Sequence, residues 1–122
     1  MPVEKSAGAV IFRKERDKIF YLILHCPRKD RKPEPYWDFP KGHIDKGEKP
    51  DETARRETAE ETGLIDIELA DGFKETIKYF FKDGDKNILK FVTFFLAETK
   101  TKKVKVSFEH IGYEWLPYKE AL

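Results

Sequence analysis

The chain has 122 residues, of which 39% are hydrophobic and 39% are charged, with 24 Lys and Arg against 23 Asp and Glu. That length fits one domain spanning residues 1–122, and the balanced charge gives no general case for a nucleic-acid or membrane partner. The one cysteine excludes an internal disulfide and a cysteine-based zinc site, and no membrane span or signal peptide is visible, so we expect a cytoplasmic enzyme or binding domain.

The first half of the chain predicts two strands, a loop and a helix. Residues 8–12 and 19–24 are rich in apolar, β-branched and aromatic side chains, which predicts strands joined by a charged turn. Residues 26–40 are rich in proline and basic residues, which predicts a loop. A helix over residues 50–62 is predicted because Pro50 suits a first helical position, acids follow it, and Gly63 is a natural stop.

The second half of the chain predicts strands only, apart from its end. We expect a short strand, then a hairpin around KDGDK, then two more strands, over residues 65–69, 73–81, 88–97, 104–108 and 111–116. A final helix is predicted from Pro117 onward. Strands around one central helix predict an α/β or α+β sandwich.

The predicted helix carries three carboxylates on one face. Glu57, Glu60 and Glu61 stand at i, i+3 and i+4. Converging carboxylates make a hard oxygen site that suits Mg²⁺ or Mn²⁺ rather than zinc. Such a site favours metal-assisted attack of water on a phosphoanhydride, with Arg55 and Arg56 orienting the acids. The competing interpretation is a solvated charged helix, which is what most Glu-rich helices are.

The spacing of residues around the helix decides between these interpretations. The order is Gly42, five residues, Glu48, seven residues, Arg56-Glu57, two residues, Glu60-Glu61, one residue, Gly63-Leu64. This pattern resembles the Nudix box, with Thr58 in a slot that is usually aliphatic. The resemblance extends over roughly residues 6–122. It implies an α/β/α sandwich with a mixed central sheet and a loop–helix–loop box.

The resemblance also implies roles for the box residues. Nudix hydrolases cleave a nucleoside diphosphate linked to another moiety and use a divalent metal, here expected to be Mg²⁺ with Mn²⁺ as the alternative. By position in the motif, the expected metal ligands are Glu57, Glu60, Glu61 and the carbonyl of Lys41. Either Glu57 or Glu61 would activate water. Glu48 and Arg56 are the expected supporting residues.

Segments outside the box indicate a subfamily. YWDFPKGHI, GFKETIKYF, FFLAE and FEHIGYEWL are similar, in the same order, to segments of asymmetric dinucleoside tetraphosphate hydrolases, which split diadenosine tetraphosphate into ATP and AMP. The resemblance implies that Lys41, His43 and Lys90 bind polyphosphate. It also implies that Tyr79 and Tyr113 stack on adenine.

For other residues, both a functional and a purely structural role stay open. Glu109 matches a remote glutamate that some relatives use near the metal or as a base, or it is a surface residue. His25 is expected to be packed rather than functional. The basic residues 28–32 either solubilise a loop or reach a long phosphate chain.

Three alternatives to a dinucleotide hydrolase stay open. WDFPKG is also similar to mRNA decapping enzymes, and bacterial RNA 5′-pyrophosphohydrolases are related, although a long RNA partner should leave a basic stripe on the surface. A nucleoside triphosphate hydrolase is a second alternative. The third is a catalytically silent domain that senses a nucleotide, although no box glutamate is lost.

The composition also bears on thermal stability. The absence of Gln beside many Lys and Glu is typical of thermophile proteins.

Overall fold

The computed structural model describes residues 2–27, 34–107 and 110–117. Within these ranges the chain forms, in order, β1 (Val3–Glu15), β2 (Lys18–Cys26), β3 (Tyr36–Asp38), β4 (Lys41–His43), α1 (Pro50–Thr62), β5 (Glu68–Asp83), β6 (Lys86–Glu98) and β7 (Gly112–Pro117). In the same ranges, no helix has the length and apolar character needed to cross a membrane.

The strands form one mixed sheet around β1. β1 and β2 pair antiparallel only beside their turn, where Phe12 lies opposite Tyr21, and then separate. The short strands fill the gap, because β4 pairs with β1 and β3 pairs with β2. On the other side, β1 runs parallel to β6, which forms a hairpin with β5, while β7 pairs with β2. The predicted mixed sheet is confirmed, and its gap is the place where α1 reaches β4.

The helix has the predicted bounds. Pro50 begins it, and the Glu52 carboxylate accepts a 2.8 Å hydrogen bond from the backbone N–H of Lys49. Gly63 ends it with a φ of 75°, a left-handed conformation that glycine adopts without steric cost. Three small side chains at helical spacing are fully buried, namely Ala54, Thr58 and Thr62. They let α1 pack closely against the sheet, chiefly against β1.

The buried core lies on the face of the sheet that α1 covers. It joins apolar residues of β1, β2 and β6 to residues that follow the helix, among them Ile11, Leu24, Leu64, Ala97 and Val104. The strands expected near residues 8–12, 19–24, 73–81, 88–97 and 111–116 are present and mostly longer than predicted. Buried apolar residues indicate the positions of β1, β2 and β6, whereas no residue of β5 or β7 is buried.

Three predicted elements differ from the structure. In the expected 65–69 strand, pairing begins only at Glu68, since Asp66 instead accepts hydrogen bonds from the Thr99 hydroxyl and the Lys100 backbone. Residues 104–107 are not a strand; they cross the end of α1, where Lys105 N–H donates to the Thr62 carbonyl at 2.9 Å. The predicted 26–40 loop contains β3. The helix expected after Pro117 lies outside the described residues.

Candidate active site

Two carboxylates of α1 lie against the backbone of β4. The Glu57 carboxyl group occupies the space that a Cβ at Gly42 would need. The Glu61 carboxylate is nearly buried, and its Oε1 accepts a 3.4 Å hydrogen bond from the Lys41 backbone N–H. Gly8 lies opposite Lys41 on β1, and a Cβ there would collide with the Pro40 carbonyl. The glycines therefore allow β1, β4 and the helix carboxylates to approach closely.

Arg56 neutralises the acids of the box. Its guanidinium donates two hydrogen bonds to Glu48, at 2.8 and 3.1 Å. It also donates to Glu57 at 3.3 Å, to Glu60 at 3.2 Å and to the His43 carbonyl at 3.0 Å. A planar group with five N–H donors can serve several acceptors at once, which lysine cannot do with this geometry. Arg56 thus explains how one short helix tolerates so many carboxylates.

Glu48 is held in its ionised form. Hydrogen bonds from Arg56 and from the Thr53 hydroxyl, 2.6 Å away, are the main causes that lower the pKa of Glu48 from 4.5 to about 2. The Asp45 backbone N–H adds a hydrogen bond of 3.1 Å. In return, the hydrogen bond to Glu48 raises the pKa of Arg56. The pair ties the loop before α1 to the middle of the helix.

Glu60 is the most exposed of the three helix carboxylates and shares the Arg56 guanidinium with Glu57. Helical residues are about 100° apart, so Glu61 projects within about 40° of Glu57 and Glu60 about 60° to the other side. The Glu60 side chain is 56% exposed and pairs with Arg56. In the described part of the chain, no three His, Cys, Asp or Glu side chains are grouped closely enough to hold a metal. The assignment of Glu60 as a third ligand stays a prediction.

The remaining donors fit a divalent cation. Glu57 and Glu61 present carboxylate oxygens beside the backbone of β4, with the Gly42 gap making room for one of them. Hard oxygen donors are those that Mg²⁺ prefers, and Mg²⁺ commonly uses one or two carboxylates and fills its shell with water and phosphate. A third carboxylate is not required for this donor set to suit Mg²⁺.

The Lys41 side chain is paired within a small polar pocket. Its ammonium lies 2.7 Å from Asp38, whose other oxygen accepts a 2.8 Å hydrogen bond from the Phe39 backbone. Burial alone would lower the pKa of Lys41, but the charge and hydrogen bond of Asp38 help to raise it overall. Lys41 therefore stays cationic beside Glu61. The pocket is lined by Cys26, Tyr36, Asp38, Phe39, Lys41, Glu61 and His110.

Three of the predicted substrate-binding residues cluster around Glu4. The register places Glu4 opposite Lys90, and Lys90 opposite Tyr79, so these side chains share the sheet face that α1 leaves uncovered. The Glu4 carboxylate lies 3.9 Å from both the His43 imidazole and the Lys90 ammonium. Tyr79 is 40% exposed. The structure therefore brings His43, Lys90 and Tyr79 together, with an acid between the two basic groups.

The other predicted site residues lie elsewhere. Tyr113 pairs with the core residue Leu24, so the register places it on the opposite sheet face from Tyr79. His25 stacks on Trp37 with ring centroids 4.4 Å apart, as expected for a packed residue. Arg55 donates to the Ile67 carbonyl at 3.0 Å and not to the box acids. Glu109 and residues 28–32 fall outside the described residues.

Sequence reasoning missed three neighbours of the site, Glu4, Asp38 and His110. His110 Nε2 lies 3.7 Å from Glu61 Oε1. Asp38 could have been found from its position three residues before Lys41, the spacing of many local ion pairs. Glu4 and His110 are brought to the site by tertiary contacts, and no local pattern in the sequence indicates them.

The sequence matches known proteins over most of its length. The family model described as NUDIX domain matches residues 2–122. The bis(5′-nucleosyl)-tetraphosphatase (asymmetrical) of Mus musculus is 33% identical over 127 aligned residues, covering 96% of this chain and 81% of that protein. An RNA pyrophosphohydrolase of Bartonella henselae is 36% identical over 91 residues, covering 73% of this chain and 50% of that protein.

A solved structure shows the same fold. The Caenorhabditis elegans Ap4A hydrolase, in a binary complex, has a TM-score of 0.80 at 32% identity, covering 97% of this chain and 82% of that one. The resemblance inferred from the box and its flanking segments is confirmed. The family match over nearly the whole length, together with box carboxylates set against β4, shows that this chain belongs to the Nudix hydrolase family.

Proposed function

We propose that this protein is a Mg²⁺-dependent hydrolase that splits diadenosine tetraphosphate into ATP and AMP. The observation that carries the proposal is the pair of carboxylates at β4, in a chain one-third identical to an asymmetrical bis(5′-nucleosyl)-tetraphosphatase. Nudix hydrolases generally use divalent metal ions, and the oxygen donors here suit Mg²⁺, with Mn²⁺ as the alternative.

The box would hold the cation. Glu57, Glu61 and the Lys41 carbonyl are its proposed ligands, and Glu60 joins them if it leaves Arg56. A divalent ion bound there polarises a phosphoryl oxygen and lowers the pKa of bound water. Arg56 holds the acids in place and offsets their negative charge through its contacts with Glu48, Glu57 and Glu60.

The proton of the attacking water needs an acceptor among the acids. We assign this role to Glu57 or Glu61, since both carboxylates lie at the backbone of β4. Glu109 is the further candidate. A carboxylate within hydrogen-bond reach of the water is the geometric requirement for such a general base.

The uncovered sheet face would bind the nucleotide. Lys41 and Lys90 would supply positive charge for the polyphosphate, and His43 would supply a ring N–H donor. Tyr79 offers an exposed ring for one adenine, where stacking is worth roughly 1–3 kcal/mol per base. Tyr113, on the opposite sheet face by register, is a candidate for contact with the distal nucleoside rather than the same base. Because Glu4 already pairs weakly with His43 and Lys90, the phosphates must compete with its carboxylate.

Product analysis tests the proposal. The protein is incubated with diadenosine tetraphosphate and Mg²⁺ in ¹⁸O-water, and the products are separated by mass. We expect ATP and AMP, lost on chelation and in Glu61→Gln, and retained in Glu68→Gln, which changes an exposed glutamate of β5. Two ADP molecules would contradict the asymmetric cleavage while leaving metal-dependent hydrolysis in place.

RNA 5′-end hydrolysis is the second candidate, favoured by the Bartonella henselae relative. That match covers less of both chains than the match to the tetraphosphatase does. Cleavage of triphosphorylated RNA without turnover of the dinucleotide would establish it. No turnover of any nucleotide would instead favour a sensor domain.

A further inference from the structure

His110 lies beside the Glu61 carboxylate, and both side chains are largely shielded from solvent. Its Nε2 is 3.7 Å from Glu61 Oε1, and the two side chains are only 9% and 11% exposed. Both line the polar pocket that contains the Lys41 ammonium. The separation is slightly longer than a hydrogen bond, so a small movement of either side chain brings the Nε2 N–H within hydrogen-bond reach of the carboxylate.

A serine fixes the orientation of the imidazole. Ser107 Oγ lies 3.0 Å from His110 Nδ1, and the His110 backbone N–H donates to the Ser107 carbonyl at 3.1 Å. Since a carboxylate faces Nε2, the ring form that carries a proton on Nε2 is favoured, with the Ser107 hydroxyl donating to Nδ1. The ring is thus aimed at Glu61 by a partner on its far side.

The same segment also holds the backbone of Glu61. The Ser107 backbone N–H donates to the Glu61 carbonyl at 3.2 Å. At the other end of the residue, Glu61 Oε1 accepts from the Lys41 backbone N–H at 3.4 Å. Glu61 is therefore contacted at its main chain by Ser107 and at its carboxylate by Lys41 and His110.

We propose that His110 is a positioning residue that orients the Glu61 carboxylate toward the divalent cation, with Ser107 fixing the imidazole. This inference rests on the proposed metal-dependent hydrolysis and is independent of which nucleotide is cleaved. Groups that orient a metal ligand typically change metal affinity or activity about 10–100-fold when they are lost. His110 acts through Glu61, so its loss affects metal binding before it affects nucleotide binding.

Mn²⁺ titration by electron paramagnetic resonance, without nucleotide, tests the role directly. We expect His110→Phe to weaken Mn²⁺ binding about 10-fold or more and to lower kcat similarly, with KM for the nucleotide little changed. His110→Gln, which keeps an N–H donor, should recover most of both losses. Ser107→Ala should weaken Mn²⁺ binding in the same direction by less. His25→Phe is the matched control, since this histidine stacks on Trp37 and does not line the polar pocket.

A double-mutant cycle shows whether the effect passes through Glu61. In the Glu61→Gln background, His110→Phe should cause no further loss of Mn²⁺ affinity, because residues that act as one unit are not additive. A folded His110→Phe variant with wild-type Mn²⁺ affinity and kcat would overturn the proposal. So would full additivity in the cycle. If His110→Phe does not fold, the same criteria apply to Ser107→Ala, for which a partial loss of Mn²⁺ affinity is expected. Weaker Mn²⁺ binding in a protein that hydrolyses no nucleotide would support the positioning role and contradict the proposed function.

Discussion

Gly42→Ala should disable the site while leaving the fold intact. The added Cβ would overlap all three atoms of the Glu57 carboxyl group, whereas ordinary contact begins near 3.4 Å. The carboxylate must therefore move by roughly 1 Å, a displacement that costs on the order of 100-fold in rate when it affects a reacting group. The clash falls on the end of a flexible side chain, so the loss of stability should not exceed the roughly 1–3 kcal/mol of ordinary overpacking.

The assay compares kcat with Mg²⁺, Mn²⁺ affinity and thermal unfolding in wild type and variant. Gly112→Ala is the matched control, because a Cβ there meets no atom within 4 Å. We expect Gly112→Ala to match wild type in all three measurements. A folded Gly42→Ala protein with wild-type kcat and Mn²⁺ affinity would refute the reasoning that the missing Cβ makes room for Glu57.

Two further predictions concern stability. Thr58→Val should stabilise the protein by about 1 kcal/mol in denaturant unfolding, because Thr58 is fully buried and its hydroxyl has no hydrogen-bond partner among the described residues. A loss of stability would show that the hydroxyl is satisfied. Glu48, whose pKa is lowered from 4.5 to about 2, should contribute stability that is complete above pH 4.5 and is lost as the pH falls toward 2. The difference in melting temperature between wild type and Glu48→Gln should therefore shrink over that range, and a constant difference would argue against the ion pair with Arg56.

The sequence predicts the helix and its box well because both depend on local spacing. Pro50 and Gly63 set the helix ends, and the i, i+4 relation brings Glu57 and Glu61 to one side whatever the rest of the chain does. Helical spacing also explains why Glu60 pairs with Arg56, which stands four residues before it. The kind of site, a group of carboxylates suited to a divalent metal, could thus be predicted more closely than the exact residues that would bind the metal.

Features formed by distant contacts could not be predicted in this way. β3 and β4 have three residues each, too few for a periodic pattern, and they exist because β1 and β2 separate and leave edges to be paired. Val104 is buried without lying in a strand, since its segment crosses the end of α1. The same crossing brings His110 to Glu61, a contact between residues 49 positions apart. Such placements follow from the fold as a whole.

We propose above all that Glu57 and Glu61, set against β4, hold the divalent cation that the hydrolysis requires. The most direct measurement is anomalous diffraction from crystals of the wild-type protein grown with Mn²⁺. We predict a manganese peak in contact with the Glu57 and Glu61 carboxylates and the Lys41 carbonyl, and no such peak in Glu57→Gln crystals under the same conditions. A manganese peak in an active protein that touches neither carboxylate would contradict the account.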